Sequence, residues 1–301
     1  FGSLELGLGE VVGALLGSDD VAGRVVRDLR LPRALTAVCA GAALGVAGAV
    51  FQSISRNALG SPDVIGFTTG AATGGIAQIV VFGGGPLQVA AGAVGGGVVT
   101  AAVVYLLASK RGTTTGYRLV LVGIGVGSVM AAINNLLLVT GDLDSSATAN
   151  LWLAGSLDAR LWGHAVPVTV GVVLLVPLVA VVARRAALME MGDDLSQQLG
   201  VRVERTRLLL TALGVLLAAL AAGAVGPISF VALAAPQLVR RLTRGTGLPV
   251  VSAGFMGALV VVAGDLAARE LPIDATIPIG QMTGILGGLY LIWLLGRRRT
   301  R

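Results

Sequence analysis

Long apolar stretches without charged residues alternate with short polar connections along most of the chain. About 20 apolar residues are needed to cross the hydrocarbon core of a bilayer as a helix, so stretches of this length predict membrane-spanning helices. Two stretches are too long for one helix, and each contains a Gly-Pro break, at residues 83–86 and 226–227. The pattern therefore predicts nine spans, in the segments 34–55, 64–109 (two spans), 119–141, 161–183, 208–239 (two spans), 245–264 and 275–296.

Composition agrees with a membrane protein. Hydrophobic residues form 55% of the chain, the mean hydropathy is +0.87, and 13% of residues are charged, which is about half the share in a soluble protein. We therefore predict an all-α, polytopic transmembrane helical bundle, with one domain over residues 1–301. Small residues at i and i+4 let helices approach closely in lipid. Five glycine pairs have this spacing: Gly41/Gly45, Gly70/Gly74, Gly92/Gly96, Gly123/Gly127 and Gly284/Gly288.

The distribution of charge predicts the orientation of the spans. The formal net charge is +6 and the isoelectric point is near 10.6, but most arginines flank spans and form no basic face with interleaved aromatic residues, so nucleic-acid binding is not expected. Connections rich in arginine are predicted to be cytoplasmic, which places Arg56, Arg240 and the C-terminus inside. Nine spans then leave Phe1 outside, and because the sequence does not begin with Met we expect a further span before residue 1.

The longest hydrophilic interruption, residues 189–207, is called the polar segment here. Asp193 and Asp194 are predicted to cap a short helix, residues 195–199 to form its body, and Gly200 to end it in a left-handed conformation. Its leucines, Leu195 and Leu199, share one face by their i, i+4 spacing. A second helix is predicted to run from Val203 into the next span. A compact helix–Gly–helix suits the groove of another protein; the alternative is an ordinary solvated turn.

Arginines also recur every three residues before the first predicted span, on the side predicted to be outside. They are Arg24, Arg27, Arg30 and Arg33. This spacing keeps them near one helical face until Pro32, which we expect to interrupt the helix. They form either a basic patch that receives carboxylates of an external partner, joined by Arg269, or interfacial arginines with Arg24 paired to Asp28.

Catalytic or metal chemistry finds little support in the sequence. Cys39 is the single cysteine and His164 the single histidine, so neither a disulfide within the chain nor a metal or cofactor site is expected. The chain has no Walker-type glycine-rich loop, and we do not expect it to hydrolyse ATP. No titratable residue lies near the middle of a predicted span, which argues against an ion-coupled secondary transporter.

Polar residues inside two spans are candidates for a translocation pathway. Asn134 and Asn135 lie in the middle of one span, and Gln281 and Thr283 lie in the last. Such side chains are costly in lipid unless they face a cavity or another helix. Pathway lining and hydrogen bonding between helices both account for them. A purely structural membrane protein would give neither these residues nor the polar segment an evident purpose.

Five sequence elements resemble the signature of the iron-siderophore and cobalamin permease family, and within it the ferric-enterobactin type. They are LRLPRALTAVCAGAALGVAGAVFQSISRNALGSPDVIGFTTGAATG (29–74), LWLAGSL (151–157), the polar segment, GPISFVALAAPQLVRR (226–241) and GGLYLI (287–292). The resemblance covers essentially the whole chain in the right order. It departs from the family pattern at Ala58, where Pro is usual, and at Gln237, where His is usual.

The resemblance implies a type II ABC importer permease with ten spans in the inner membrane of a bacterium. It also implies two cytoplasmic ATP-binding subunits, an extracytoplasmic solute-binding protein and a second permease subunit. We expect this second permease to be a paralogue of the chain and not a second copy of it. The cargo implied is a ferric siderophore, with cobalamin or haem as the alternative within the family. The subunit itself would be non-catalytic.

Individual site residues follow from the same resemblance. Arg30 and Arg33 correspond to outer arginines that bind acidic residues of the solute-binding protein, and Arg269 matches a further such arginine of the cobalamin member. Residues 186–207 correspond to the coupling helices on which the ATPase docks. The helices that carry Asn134 and Gln281 correspond to those that line the pathway in family members.

Overall fold

The computed structural model describes residues 6–17, 21–109, 116–243, 245, 247–270 and 277–296. Every regular element in these ranges is helical, which confirms the predicted all-α class. In chain order the elements are α1 (Leu8–Leu15), α2 (Val21–Arg24), a π-helical segment (Val25–Arg30), α3 (Leu31–Ser55), α4 (Phe67–Val80), α5 (Pro86–Ala108), α6 (Gly116–Thr140), α7 (Leu143–Leu153), α8 (Trp162–Glu190), α9 (Asp193–Gln198), α10 (Val203–Val225), α11 (Val231–Thr243), α12 (Val250–Glu270) and α13 (Ile279–Gly296).

Each of the nine predicted spans contains a helix, but these helices differ in length. Within the described ranges, six helices are long and apolar enough to cross a membrane: Val21–Ser55, α5, α6, α8, α10 and α12. By contrast, α4 has 14 residues and α11 has 13, or about 21 and 20 Å at 1.5 Å per residue. The hydrocarbon core is about 30 Å thick. The nine predicted spans are therefore not all full-length helices, because α4 and α11 start within the bundle after extended or turn residues.

Helix α3 lies at the centre of the bundle, surrounded by α8, α10, α11 and α12. Its small residues let neighbouring backbones touch it directly. A Cβ atom on Gly45 would lie 2.1 Å from the carbonyl oxygen of Ala253 in α12, and one on Gly48 would lie 1.7 Å from that of Ala232 in α11. Only glycine fits such contacts. Close backbone approach, with no hydrophobic drive between helices in lipid, accounts for this packing.

The other predicted glycine pairs can be checked in the same way. Gly70 and Gly74 of α4 face Gly96 and Gly92 of α5, and Gly123 of α6 lies against the carbonyl of Ile65. Four of the five pairs therefore mark close helix contacts. The last pair is the exception, since a Cβ atom on Gly284 or Gly288 would meet no described atom within 4 Å.

The expected interruption at Pro32 does not occur, because helix runs without a break from Val21 to Ser55. A π-helical segment directly precedes the proline, and the N–H of Leu31 bonds back to the carbonyl of Val26. Proline has no N–H with which to continue this pattern to Arg27. Nε1 of Trp162 donates to the Arg27 carbonyl instead, at 3.1 Å. The π-helical register and this indole together accommodate the proline.

Helix α7 was not predicted, because residues 142–160 were assigned to a connection. Its N-cap is Asp142, whose Oδ1 accepts the backbone N–H of Ser145 at 2.9 Å. This hydrogen bond lowers the pKa of the Asp142 carboxyl. The ring of Trp152 in α7 packs on Gly75 of α4. An Asp three residues before Ser145 is a capping signal that was available in the sequence.

Gly48→Ala should destabilise the bundle strongly, because the added methyl group would overlap the Ala232 carbonyl of α11. Overpacking of this kind costs about 1–3 kcal/mol or more. The matched control is Gly95→Ala in α5, where nothing lies within 4 Å of the added carbon. Thermal unfolding in detergent should show a lowered midpoint for Gly48→Ala and a nearly unchanged one for Gly95→Ala. Equal midpoints would contradict the packing described for α3.

Candidate functional site

Charged residues gather at both ends of α3. The first group, called the α3-start cluster, lies beside the beginning of the helix and comprises Arg33, Asp158, Asp265 and Arg269. The second group, called the α3-end cluster, lies beside its last turn and comprises Arg56, Glu190, Asp193, Glu204, Arg207 and Arg240. The residues predicted to be outside and those predicted to be cytoplasmic are therefore separated by the length of α3.

The α3-start cluster holds Arg33 between two other parts of the chain. Its Nη2 contacts Oδ1 of Asp265 in α12 at 2.7 Å, and its Nη1 contacts Oδ1 of Asp158 in the α7–α8 connection at 2.5 Å. Arg269 reaches the second oxygen of Asp265 at 3.4 Å. Arg33 is thus part of an internal ion network, and Arg30 also has an interaction within the chain. Docking of a partner at these arginines stays a prediction.

The polar segment contains α9, as predicted, but its start differs. The N-cap residue is Gly192, which has a φ of 123° and provides no side-chain cap, whereas Asp193 and Asp194 occupy the first turn. The predicted capping role of the two acids is therefore wrong, although both still lie where the helix dipole favours negative charge. Gly200 is left-handed with a φ of 81°, as predicted. Residues 186–190 continue α8, so α9 is the one separate short helix in 186–207.

One face of α9 packs against the protein and the leucines lie outside that contact. Ser196 is buried, and its Oγ donates to the carbonyl of Leu188 at 2.8 Å. Met189, Val201 and Val203 form a small apolar cluster near the two ends of α9. Leu195 and Leu199 are 41% and 55% exposed. The chain therefore presents a pair of leucines at i, i+4 on a short helix fixed from behind.

The α3-end cluster is built around one carboxylate and one buried arginine. Arg207 of α10 is 2% exposed and pairs with Glu204 and with Oδ2 of Asp193, the latter at 2.8 Å. Arg56, the residue after α3, pairs with Oδ1 of Asp193 and donates from Nε to the carbonyl of Met189 at 2.9 Å. Arg207 was not among the predicted site residues. Its i, i+3 spacing from Glu204 was the available signal.

Further polar contacts extend from this cluster to other helices. Glu190, at the end of α8, accepts a hydrogen bond from Ser53 at 2.7 Å and lies 3.4 Å from Nη2 of Arg240 in α11. The next residue, Arg241, lies over the ring of Tyr290 in α13, 5.9 Å from its centroid. The ends of α8, α11 and α13 are therefore linked.

A hydrogen-bonded pair of amide side chains, one buried and one partly buried, ties α3 to α11. Nε2 of Gln237 donates to Oε1 of Gln52 at 2.7 Å, and Nε2 of Gln52 donates to the carbonyl of Leu233 at 3.1 Å. Gln237 also reaches the carbonyl of Ala58 at 3.2 Å. Both positions that depart from the family pattern thus belong to one hydrogen-bonded contact. Gln52 was missed by the sequence analysis.

The four candidate pathway residues do not share one environment. Asn135 and Gln281 are exposed on α6 and α13. Asn134 is 7% exposed, and its Oδ1 has no hydrogen-bond partner among the described residues. Thr283 is buried beside Gly264 of α12, and its hydroxyl donates to the carbonyl of Gly280 at 3.1 Å. Two of the four side chains are therefore exposed and two are buried, and a pathway lined by them stays a prediction.

The single histidine and the single cysteine make contacts within the protein. Nδ1 of His164 accepts the N–H of Leu161 at 3.4 Å at the start of α8, and buried Cys39 lies 3.4 Å from the hydroxyl of Thr169. Within the described ranges, no group of three or more His, Cys, Asp or Glu side chains is placed to hold a metal ion.

The central glycine-packed helix, the half-length helices and the short exposed α9 define the fold of an ABC importer permease. A solved metal-chelate type ABC transporter in an inward-facing conformation has this fold, with a TM-score of 0.86, 28% identity and coverage of 96% of each chain. Residues 1–297 match the FecCD transport family, and the chain belongs to this family.

Two relatives illustrate the similarity along the sequence. The chain is 44% identical over 295 residues to the ferric enterobactin transport system permease protein FepG of Escherichia coli (strain K12), covering 98% of this chain and 89% of that protein. It is 33% identical over 295 residues to the Fe(3+)-citrate import system permease protein YfmE of Bacillus subtilis (strain 168), covering 98% and 88%. Both similarities extend over both charged clusters and α9.

Asp265→Asn should destabilise the protein more than Asp158→Asn, although both acids bind Arg33. The side chain of Asp265 is 16% exposed and that of Asp158 is 59% exposed. Losing a charged hydrogen-bond partner in a buried setting costs about 1–3 kcal/mol, whereas an exposed ion pair contributes about 0–1 kcal/mol. Denaturant unfolding of the two purified variants measures the difference. A larger loss for Asp158→Asn would contradict the geometry of the α3-start cluster.

Proposed function

We propose that this chain is the membrane permease subunit of an ATP-driven importer that carries a ferric siderophore into the cell. The observation that carries the proposal is α9, a short helix fixed from behind with Leu195 and Leu199 exposed. A short helix that exposes apolar side chains suits the groove of another protein. The cargo is inferred from the family and from the relative named for ferric enterobactin.

ATP hydrolysis belongs to separate subunits in this proposal. Two ATP-binding subunits dock on the cytoplasmic side, one of them on α9 of this chain, and Asp194, Leu195 and Leu199 form the contact. Gly200 provides the tight exit that keeps α9 compact, since its φ of 81° suits glycine best. The polar segment and the C-terminus are then cytoplasmic, in agreement with the excess of arginine in these connections. The protein is a multi-span protein of the bacterial inner membrane.

An extracytoplasmic solute-binding protein docks at the opposite end. Arg30, Arg33 and Arg269 lie at the beginning of α3 and the end of α12, where carboxylates of the partner can approach. Because Asp158 and Asp265 already bind Arg33, part of its charge is neutralised within the chain. Arg269 also binds Asp265, and Arg30 also has an interaction within the chain, so a docking carboxylate has to compete with internal partners at all three arginines.

The pathway lies between this chain and a second permease subunit, a paralogue by the similarity to the ferric-enterobactin type. Helix α6 has 22% of its spanning window buried, against 78% for the helix containing α3, which leaves most of α6 for contacts outside this chain. Asn135 on α6 and Gln281 on α13 offer weak polar contacts to a large, polar ferric siderophore. Asn134 and Thr283 are buried and offer no such contact in this arrangement.

Proteoliposomes that contain this chain and the importer partners from its own organism test the proposal. We expect accumulation of radiolabelled ferric enterobactin when ATP and the solute-binding protein are both supplied. Leu199→Asp should abolish ATPase binding, because an unpaired carboxylate is too costly to bury in an apolar contact. Binding of the ATPase to the purified permease, measured alongside uptake, identifies the step that is lost.

The matched control introduces the same charge on another face of α9. Gln197→Asp lies about 160° around the helix from Leu199, at about 100° per residue, and should leave ATPase binding unchanged. Accumulation of haem or cobalamin instead of the ferric siderophore would show that the importer carries the alternative cargo. Normal ATP-dependent uptake by Leu199→Asp would contradict the role given to α9.

Asn135→Leu should slow siderophore uptake without reducing thermal stability, because the amide of Asn135 is exposed on α6. Its removal takes a polar contact away from the solute and leaves the packing of the protein unchanged. Asn134→Leu serves as the comparison, since it removes a buried oxygen that lacks a hydrogen-bond partner in the described structure. Leaving such a group buried costs about 1–3 kcal/mol, so this variant should match or exceed the wild-type unfolding midpoint. A lowered midpoint for Asn135→Leu with a proportional loss of uptake would show a packing role instead.

A further inference from the structure

Asp193 points into the protein although it lies on the helix proposed to meet the ATPase. Each of its carboxylate oxygens binds an arginine from a different helix end. Oδ2 lies 2.8 Å from Nη2 of Arg207 in α10, and Oδ1 contacts Nη2 of Arg56 just after α3. A carboxylate engaged on both oxygens has little left to offer a partner protein. Asp193 therefore has a different role from the exposed leucines of the same helix.

Both arginines are held in place independently of Asp193. Arg207 is 2% exposed and also pairs with Glu204 on its own helix. Arg56 has a left-handed backbone with a φ of 49°, a conformation that is uncommon outside glycine. Its Nε donates to the carbonyl of Met189 at 2.9 Å, so one guanidinium binds the chain on both sides of Gly192. The two side chains thus form a fixed receptor for the carboxylate.

Helix α9 needs such a receptor because its covalent connections do not fix its orientation. It has six residues and begins after Gly192, with a φ of 123° and no side-chain cap. It is followed by Gly200, with a φ of 81°. A Cβ atom on either glycine would meet nothing within 4 Å, so no packing at these two residues holds the ends of α9. Orientation depends on side chains, namely Ser196 and Asp193.

We propose that Arg56 and Arg207 are positioning residues that hold α9, through Asp193, against the ends of α3 and α10; these three residues are called the arginine clamp. This inference rests on the proposed function, and it concerns how a load on α9 enters the membrane domain. The spanning window of the helix that contains α3 is 78% buried, and that of α10 is 72% buried. The windows of the other four spanning helices are 22–33% buried, namely those of α5, α6, α8 and α12. A load on α9 is therefore delivered to the two most buried of these helices, which move with α9 as one body.

The alternative is that the ion network only stabilises the fold. Replacing one member of a buried ion pair destabilises proteins whatever their function, so stability alone cannot distinguish the two roles. The number of ATP molecules hydrolysed per siderophore imported does distinguish them. Loss of folded protein lowers hydrolysis and uptake together, whereas a loose α9 lets the ATPase bind and hydrolyse without moving the permease.

The test uses the complete importer in proteoliposomes with radiolabelled ferric enterobactin as the probe. We expect Arg207→Met and Asp193→Asn to retain ATPase binding and to raise the ATP consumed per siderophore by about five- to tenfold, within the range for coupling between sites. Asp193→Glu should restore most of the wild-type ratio. The matched control is Arg205→Met, an exposed arginine on the first turn of α10, with an unchanged ratio.

An unchanged ratio in Asp193→Asn, with uptake and hydrolysis reduced in parallel, would overturn the inference and leave the proposed function intact. So would loss of ATPase binding in both clamp variants, because the residues would then belong to the docking contact. If the wild-type importer shows no ATP-dependent uptake of ferric siderophore, haem or cobalamin, the proposed function itself fails.

Discussion

Direct contact between helix backbones around α3 is the constraint on which the rest of the structure depends. In a bilayer, apolar side chains gain little by leaving lipid for a helix interface, and close packing has to supply the stabilisation instead. Gly41, Gly45 and Gly48 bring α3 against α12 and α11 so closely that a single methyl group would overlap a carbonyl. Interfaces this tight have few alternative arrangements. Helix α3 is therefore a stiff element that runs the length of the bundle.

The role of the two charged clusters depends on the stiffness of α3. Both lie at the ends of the same helix, one joined to α12 and the α7–α8 connection and the other to α9 and α10. Two sites joined by a rigid element are coupled if each has contacts that change between states. The α3-end cluster is buried around Arg207, whereas Asp158 of the α3-start cluster is exposed. This arrangement suits a permease that must respond to proteins on both of its sides.

Much of the fold follows from features that are local in sequence. Apolar length identified the nine helical segments, i, i+4 glycines identified four close contacts, and Gly200 was correctly placed because a left-handed helix end favours glycine. Half-length helices could not be predicted in this way. Residues that start a helix inside a bundle are as apolar as residues that cross it, so apolar length does not separate α4 and α11 from the full spans.

Errors at the candidate site have one physical origin. An Asp at a helix start can cap its own helix or reach a distant cation, and tertiary contacts decide between them. Asp193 binds Arg56 and Arg207, which are 137 and 14 residues away. Pro32 was expected to break a helix, but the indole N–H of Trp162 donates to the Arg27 carbonyl in place of the N–H that proline lacks. The burial of Arg207 could not be predicted either. The sequence shows that a charged residue lies next to a span, but not how deeply its side chain is buried.

Distances across the permease during the ATP cycle test most directly whether α9 moves together with α3. Spin labels at Gln197 and Val38, in protein lacking Cys39, report the distance from α9 to α3, and labels at Gln197 and Val139 report the distance from α9 to α6. In the assembled importer, the first distance should stay the same when ATP binds, while the second changes by more than about 2 Å, the scale of rearrangements in regulated complexes. A first distance that changes as much as the second would contradict the account, because α9 would then move independently of the helix to which its arginine clamp attaches it.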